Sequence, residues 1–206
     1  MVMNRIPVMT ADPTGSESTP DLDARSMQQL KTDDLALNII MDRWSSRVAS
    51  FVFKMTGSHA LANELAQETF VKLYQARTRY EAKGSFSGYL FGIAANLVKN
   101  HRRWQMRHPT VSLDDPDFDT RENPAFIASH LGDPRGSLET NEALRTILGA
   151  MFSLPVDLRE AITLFVDEGL SYREIAQVVG CTPKAVETRI YRARQILKIR
   201  LAGLDD

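Results

Sequence analysis

Apolar residues recur at helical spacing along two long stretches of this chain, and nowhere do they alternate as a strand would. The first stretch predicts a helix over 33–55, with Leu35, Ile39, Trp44, Val48, Phe51 and Val52 as core candidates and Gly57 as its stop. Ser58 is placed to cap a second helix, whose Ala62, Ala66, Phe70, Leu73 and Tyr74 can pack inward. A loop over 77–85 leads to a third, 86–107, apolar through Phe86, Leu90, Ile93, Ala94 and Leu97 and basic thereafter. Helical patterning stops at Pro109 and resumes with 139–152 and 156–168, where Leu154, Leu158, Ile162, Leu164 and Phe165 form an apolar surface.

The last forty or so residues add turn chemistry to the pattern. Ile175, Ala176 and Val179 give one apolar stripe, and Gly180 follows where the chain needs a left-handed residue. Thr182 and Pro183 suit the cap and first turn of a new helix. Val186, Ile190, Ala193 and Leu197 then fall at i, i+4, i+7 and i+11, so one face packs inward. This is a helix-turn-helix pattern. The remaining outward positions of the second helix, together with its cap residues, are Thr182, Pro183, Lys184, Glu187, Thr188, Arg189, Tyr191, Arg192 and Arg194, apt for entering a DNA major groove N-terminus first. The same residues would also suit an ordinary solvated face.

Charge sharpens the choice. The chain of 206 residues has a net charge of −1, but the charge is segregated. The final helix carries six bases against the single acid Glu187. Lys99, Arg102, Arg103 and Arg107 form a second basic cluster, flanked by His101 and His108. Between them, residues 109–142 hold eight acids and two bases, with Pro and Gly too frequent for a core element and room for one short helix at 124–130. Two basic modules joined by a flexible acidic linker are therefore expected. Residues 1–31, rich in Pro, Ser and Thr, read as a disordered tail. The predicted organisation is all-α: tail 1–31, a first helical domain 32–108, linker 109–138, and a second helical domain 139–206.

Candidate nucleic-acid contacts in the first domain combine aromatic and basic side chains, as single-strand binding requires. They are Arg77, Arg79, Tyr80 and Lys83 from the loop, Tyr89, Asn96 and Asn100 from the third helix, and Arg102, Arg103 and Arg107 at its end. Tyr80 and Tyr89 are equally compatible with packing roles. Glu64, Gln67 and Glu68 share one polar helix face, suited either to solvent or to arginines of a partner.

Enzyme chemistry finds no support in the motifs. There is no Gly-rich phosphate loop or nucleophile elbow, and His59, His101, His108 and His130 lack ligand spacing. The aspartates over 114–119 lack a calcium-loop register. The single cysteine, Cys181, excludes an internal disulfide and reads as a small hydrophobe in the turn. No cofactor or metal is expected. No run approaches the roughly 18 apolar residues of a membrane span, and no signal pattern opens the chain, so a cytoplasmic location is expected.

With these residues in place, the chain resembles the bacterial extracytoplasmic-function (ECF) sigma factors, the small two-domain sigma factors of RNA polymerase. The first block of resemblance rests on Gly57, Ala62, Glu64, Leu65, Gln67, Glu68 and Phe70, and on FSGYLFGIAANLVKNHRR from Phe86 to Arg103. The second rests on Leu154-Pro155, Arg159, Glu160, Gly169 to Tyr172, Glu174 to Ala176, Val186, Arg189 and Tyr191 to Arg194. The pattern departs at Asn63, Tyr89, Gly92, Ala95 and Asn100, where relatives often carry an acid, tryptophan, arginines and aspartate respectively. The resemblance implies that the first domain (region 2) docks on the clamp helices of the polymerase largest subunit through Glu64, Gln67 and Glu68, and captures an unstacked base of the minus-ten element. It implies that the second (region 4) docks on the flap and reads the minus-thirty-five element, that the linker threads toward the active-site cleft, and that an anti-sigma factor masks both domains. The competing reading is a stand-alone helix-turn-helix regulator that binds duplex operator DNA without polymerase.

Overall fold

The computed structural model describes residues 22–81, 84–108 and 138–202. These form eight helices and no strand: α1 (Leu22–Gln29), α2 (Leu35–Thr56), α3 (His59–Ala76), α4 (Phe86–Arg107), α5 (Leu138–Phe152), α6 (Val156–Val166), α7 (Tyr172–Val179) and α8 (Pro183–Arg200). The expected short helix at 124–130 lies outside the described residues.

The first block is built on α2. Gly57 ends it in a left-handed conformation (φ 77°), donating its N–H to Phe53 O. The Ser58 side chain then accepts the Leu61 N–H and starts α3. In the core, Trp44 sits edge-on to Phe86 and Phe91, with ring centroids 5.8 and 6.0 Å away, and Phe51 meets Phe91 at 5.4 Å. Each such pair adds about 0.5–1.5 kcal/mol beyond its area burial, so α4 is locked to α2 along the half that precedes its basic end.

Two expectations fail here. Leu35 and Ile39 are 69% and 51% exposed. The inward stripe of α2 is Ala36, Ile40, Trp44 and Val48, one residue on, because α1 packs there. The tail expected to run to residue 31 also gives way at Leu22, where α1 begins. Met27 and Leu30 are fully buried against the rest of the core, and Asp23 pairs with Arg43 at 2.7 Å. A helix this short is not stable on its own; its folding depends on that tertiary burial.

In the second block α6 lies against both helices of the terminal pair. Leu158, Ile162 and Leu164 from α6 share a core with Ile175 and Ala176 from α7 and Val186, Ile190 and Ala193 from α8. Gly180 takes φ 75° and ψ 46°, its N–H bonding to Ala176 O. α7 starts on a capping box: the Ser171 side chain accepts the Glu174 N–H, and the Glu174 carboxylate accepts the Ser171 N–H.

The blocks also pack on each other, α4 against α7 and α2 against α6. Three ion pairs cross the contact: Lys99–Glu160 at 3.2 Å, Arg47–Glu168 at 2.7 Å and Lys54–Asp167 at 2.6 Å. Arg159 donates to Phe152 O and, across the contact, to Met55 O. Burial lowers its pKa, and nearby Arg102 adds to that. Burial pushes the Glu160 and Glu168 carboxyls above the ordinary range, with Lys99 and Arg47 respectively opposing it only in part. A carboxyl that binds its proton more tightly when folded stabilises fully below the ordinary Glu value, and that contribution is lost as pH rises through the raised one. Glu160→Gln with Glu168→Gln should therefore remove a loss of stability with rising pH above about 4.3, the ordinary Glu value. Melting temperatures of variant and parent across pH 4 to 7 check this; parallel curves would count against it.

Candidate nucleic-acid interface

The terminal pair presents its second helix through local chemistry. Thr182 adopts an extended conformation and its Oγ1 accepts the Ala185 N–H, while Pro183 opens α8. With Val186, Ile190 and Ala193 buried, the opposite face is turned outward. Thr182, Pro183, Lys184, Glu187, Thr188, Tyr191, Arg192 and Arg194 are all exposed. Lys184 pairs with Glu187 at 2.8 Å, and Thr188 Oγ1 donates to Lys184 O. A surface pair of this kind is worth about 0–1 kcal/mol, so a base edge or phosphate can replace either partner at small cost. Arg189 differs: it is half-buried and its Nε lies 3.6 Å from Asp157 of α6, which turns it toward the fold. The Arg194 guanidinium sits 5.2 Å from the Phe165 ring centre.

On α4, Asn96, Asn100, Arg103 and Arg107 are exposed and Arg102 is half-buried. Arg103 donates to Asn100 Oδ1, and Arg107 Nε donates to Arg103 O, a run of contacts that holds the basic end together. The loop before α4 behaves otherwise than its composition suggests. Tyr80 is only 4% exposed, and its ring lies 5.0 Å from that of Tyr89, so packing has claimed it and it presents no face to a base. Tyr89 is half-buried; burial raises its hydroxyl pKa, with Arg79 opposing. Arg77 stacks on Tyr74 at 3.7 Å and donates to Tyr74 O, whereas Arg79 is exposed. Lys83 lies outside the described residues.

Tyr89, Gly92 and Asn96 of α4 face Glu174 and Gln177 of α7 across a cavity of about 280 Å³. Burial pushes Glu174 up, but hydrogen bonds from Ser171 and Ser85 outweigh it and hold the carboxyl below its ordinary value. The α4 candidates nearest the loop thus sit at the contact between blocks, a placement no sequence spacing reveals.

On α3, Glu64 and Gln67 are exposed and Glu68 half-exposed, opposite the buried Ala62, Leu65, Ala66 and Phe70. The acidic-polar face is real and unburied. One surface residue escaped the sequence reading: Trp104, half-exposed within the arginine-rich end of α4. An aromatic residue inside a basic run was the available signal. Among the described residues, no group of three His, Cys, Asp or Glu is placed to hold a metal, and no helix is long and apolar enough to cross a membrane.

Comparison with known proteins agrees with this geometry block by block. The family described as Sigma-70 region 2 matches residues 40–108, and Sigma-70, region 4 matches residues 144–197. The ECF RNA polymerase sigma-E factor of Escherichia coli is 33% identical over 178 residues, covering 84% of this chain and 91% of that protein. Its counterpart in Haemophilus influenzae is 29% identical over 179 residues, covering 84% and 90%. The sigma factor RpoE of Bartonella quintana, solved in complex with the anti-sigma factor NepR, superposes with a TM-score of 0.60 at 27% identity, covering 80% of this chain and 96% of that one. CnrH, solved with the cytosolic domain of CnrY, shares the fold at a TM-score of 0.62 and 21% identity, covering 88% and 97%. The chain belongs to the ECF sigma factors, the promoter-directing initiation factors of RNA polymerase.

Proposed function

We propose a division of labour within this sigma factor: region 2 (32–108) binds core polymerase and the minus-ten element, region 4 (139–206) reads the minus-thirty-five element, and the segment 109–138 tethers them. The observation that carries it is the presence of two basic surfaces built separately, on the outer face of α8 and at the end of α4. Lys184, Glu187, Thr188 and Tyr191 lie toward the entering end of α8 and are assigned to base edges; Arg192 and Arg194 are assigned to phosphates. Arg102, Arg103 and Arg107 clamp phosphates near the melted element, with Asn100 beside them and Asn96 and Tyr89 contacting DNA further toward the start of α4. Glu64, Gln67 and Glu68 dock on arginines of the largest-subunit clamp helices. The factor works in the cytoplasm without covalent chemistry of its own, by binding the opened promoter more tightly than the closed one. Trapping an unpaired base offsets an unstacking cost of a few kcal/mol.

The two blocks must part for this work. Elements named for positions ten and thirty-five lie roughly 80 Å apart on B-form DNA at about 3.4 Å per base pair. A compact chain of this length has a radius of gyration of only about 17 Å. The contact of α4 with α7 is accordingly a resting arrangement, and an anti-sigma factor of the kind that accompanies the structural relatives would be a natural partner for it.

Alanine substitutions test the assignments on α8. Thr188→Ala or Lys184→Ala should change preference among variant minus-thirty-five sequences. Arg192→Ala should instead weaken all promoters alike and flatten the salt dependence by about one unit. Holoenzyme binding to a promoter panel at several salt concentrations reads both. Unchanged preference in the first pair, or a sequence-selective loss in the last, would contradict the roles given.

A further inference from the structure

The basic end of α4 carries more than a phosphate clamp. Every residue over 103–108 is exposed, so the last turns of the helix project beyond the core that holds its first half. In that projection stands Trp104, 49% exposed, whereas Trp44, the other tryptophan of the chain, is buried at 6%. The Trp104 ring stacks on the His108 imidazole, centroids 5.0 Å apart at 25°, and His101 approaches at 6.2 Å and 35°. His108 is itself fixed, its N–H donating to Trp104 O and its Nδ1 lying 3.1 Å from the same oxygen. The neighbours are Arg102, Arg103 and Arg107, and no acid occurs between Lys99 and His108.

We propose that Trp104, backed by His108, is a stacking platform for an unpaired DNA base, a site distinct from the arginine clamp that surrounds it. The inference rests on the promoter-opening role given above. Three features support it. Half of the indole surface is left accessible at the projecting end of α4, so a flat aromatic face is open to an incoming base. Its surroundings are those of single-strand grooves, aromatic faces set among cations that follow the backbone, and this charge favours DNA over an arginine-bearing protein partner. The imidazole stacked on one side holds the indole in place, so less side-chain freedom is lost when a base arrives on it.

The two tryptophans make the test direct. The full chain is titrated at low salt with a mixed-sequence single-stranded oligonucleotide and with its duplex, following tryptophan fluorescence and affinity. Single strands should quench the parent protein, and Trp104→Phe, which leaves only buried Trp44 emitting, should show no quenching. Trp104→Ala should weaken single-strand binding roughly 5- to 150-fold, and Trp104→Phe should retain most of it. Both variants should melt as the parent does, since the residue lies outside the core. Equal quenching by duplex, or unchanged single-strand affinity in Trp104→Ala, would overturn the platform. So would a loss of core polymerase co-purification in Trp104→Ala with DNA affinity intact, which would assign the indole to a protein contact. A parent chain that directs polymerase with Trp104 unquenched would sink the platform alone. Quenching without any direction of polymerase would sink the promoter role and leave the platform standing.

Discussion

Glu64→Lys combined with Gln67→Lys is expected to abolish co-purification with core RNA polymerase while leaving the fold intact. Both residues sit on the outer face of α3, away from Ala62, Leu65, Ala66 and Phe70, which hold that helix in place. Surface changes away from packed or paired groups usually alter stability by no more than about 0.5 kcal/mol each, so the pair should move the melting temperature of a chain of this length by about 4 °C or less. Binding responds on another scale. Setting lysines against the arginines proposed on the clamp replaces attraction with like-charge contact, which costs several kcal/mol, and every 1.4 kcal/mol is about tenfold in affinity. A loss of a thousandfold or more is the expected order. Pull-down with purified core, alongside a thermal melt, reads both quantities. Retained binding with an unchanged melt would remove α3 from the docking surface.

Ile190→Asp should have an equally large effect by a different route. Ile190 is 1% exposed and packs in the core shared by α6, α7 and α8. The substitution loses about 1.5–3 kcal/mol of apolar burial and places a carboxylate where nothing can solvate it. Together these approach the whole stability of a small helical domain, about 5 kcal/mol at the low end. Region 4 should therefore lose its cooperative melt and its promoter selectivity. Region 2, whose own rings Trp44, Phe51, Phe86 and Phe91 pack on one another, should keep its hold on polymerase. Circular dichroism and the same pull-down decide the matter. Loss of both functions together would mean that the blocks fold as one unit.

What the sequence made legible was whatever local chemistry decides. Gly57 and Gly180 are left-handed stops because no other residue takes that conformation cheaply, and Ser58 and Thr182 cap the helices that follow, as their positions require. The inward stripe of α8 was equally plain, since Val186, Ile190 and Ala193 fall at i, i+4 and i+7 in a helix otherwise rich in basic and polar residues. Matters settled by tertiary choice were not. On α2 two apolar stripes run side by side, and tertiary packing, α1 included, buries Ala36 and Ile40 rather than Leu35 and Ile39. α1 itself has too few apolar residues to announce a helix, because it borrows its core from α2. The contact between blocks includes charged pairs such as Lys99–Glu160, which are distant in the chain and read separately as surface charges. Tyr80 and Tyr89 illustrate the same limit: an aromatic beside arginines fits a base or a core equally well, and packing chose the core for Tyr80.

The most direct test of the account is transcription by purified core RNA polymerase on a genomic promoter library, with and without this chain. Addition of the chain is predicted to create a discrete set of start sites sharing paired upstream and downstream elements, a set lost in the Glu64→Lys, Gln67→Lys double variant. Start sites that are unchanged by the chain, together with a shift of duplex DNA by the chain alone, would contradict it and identify a regulator that acts without entering polymerase.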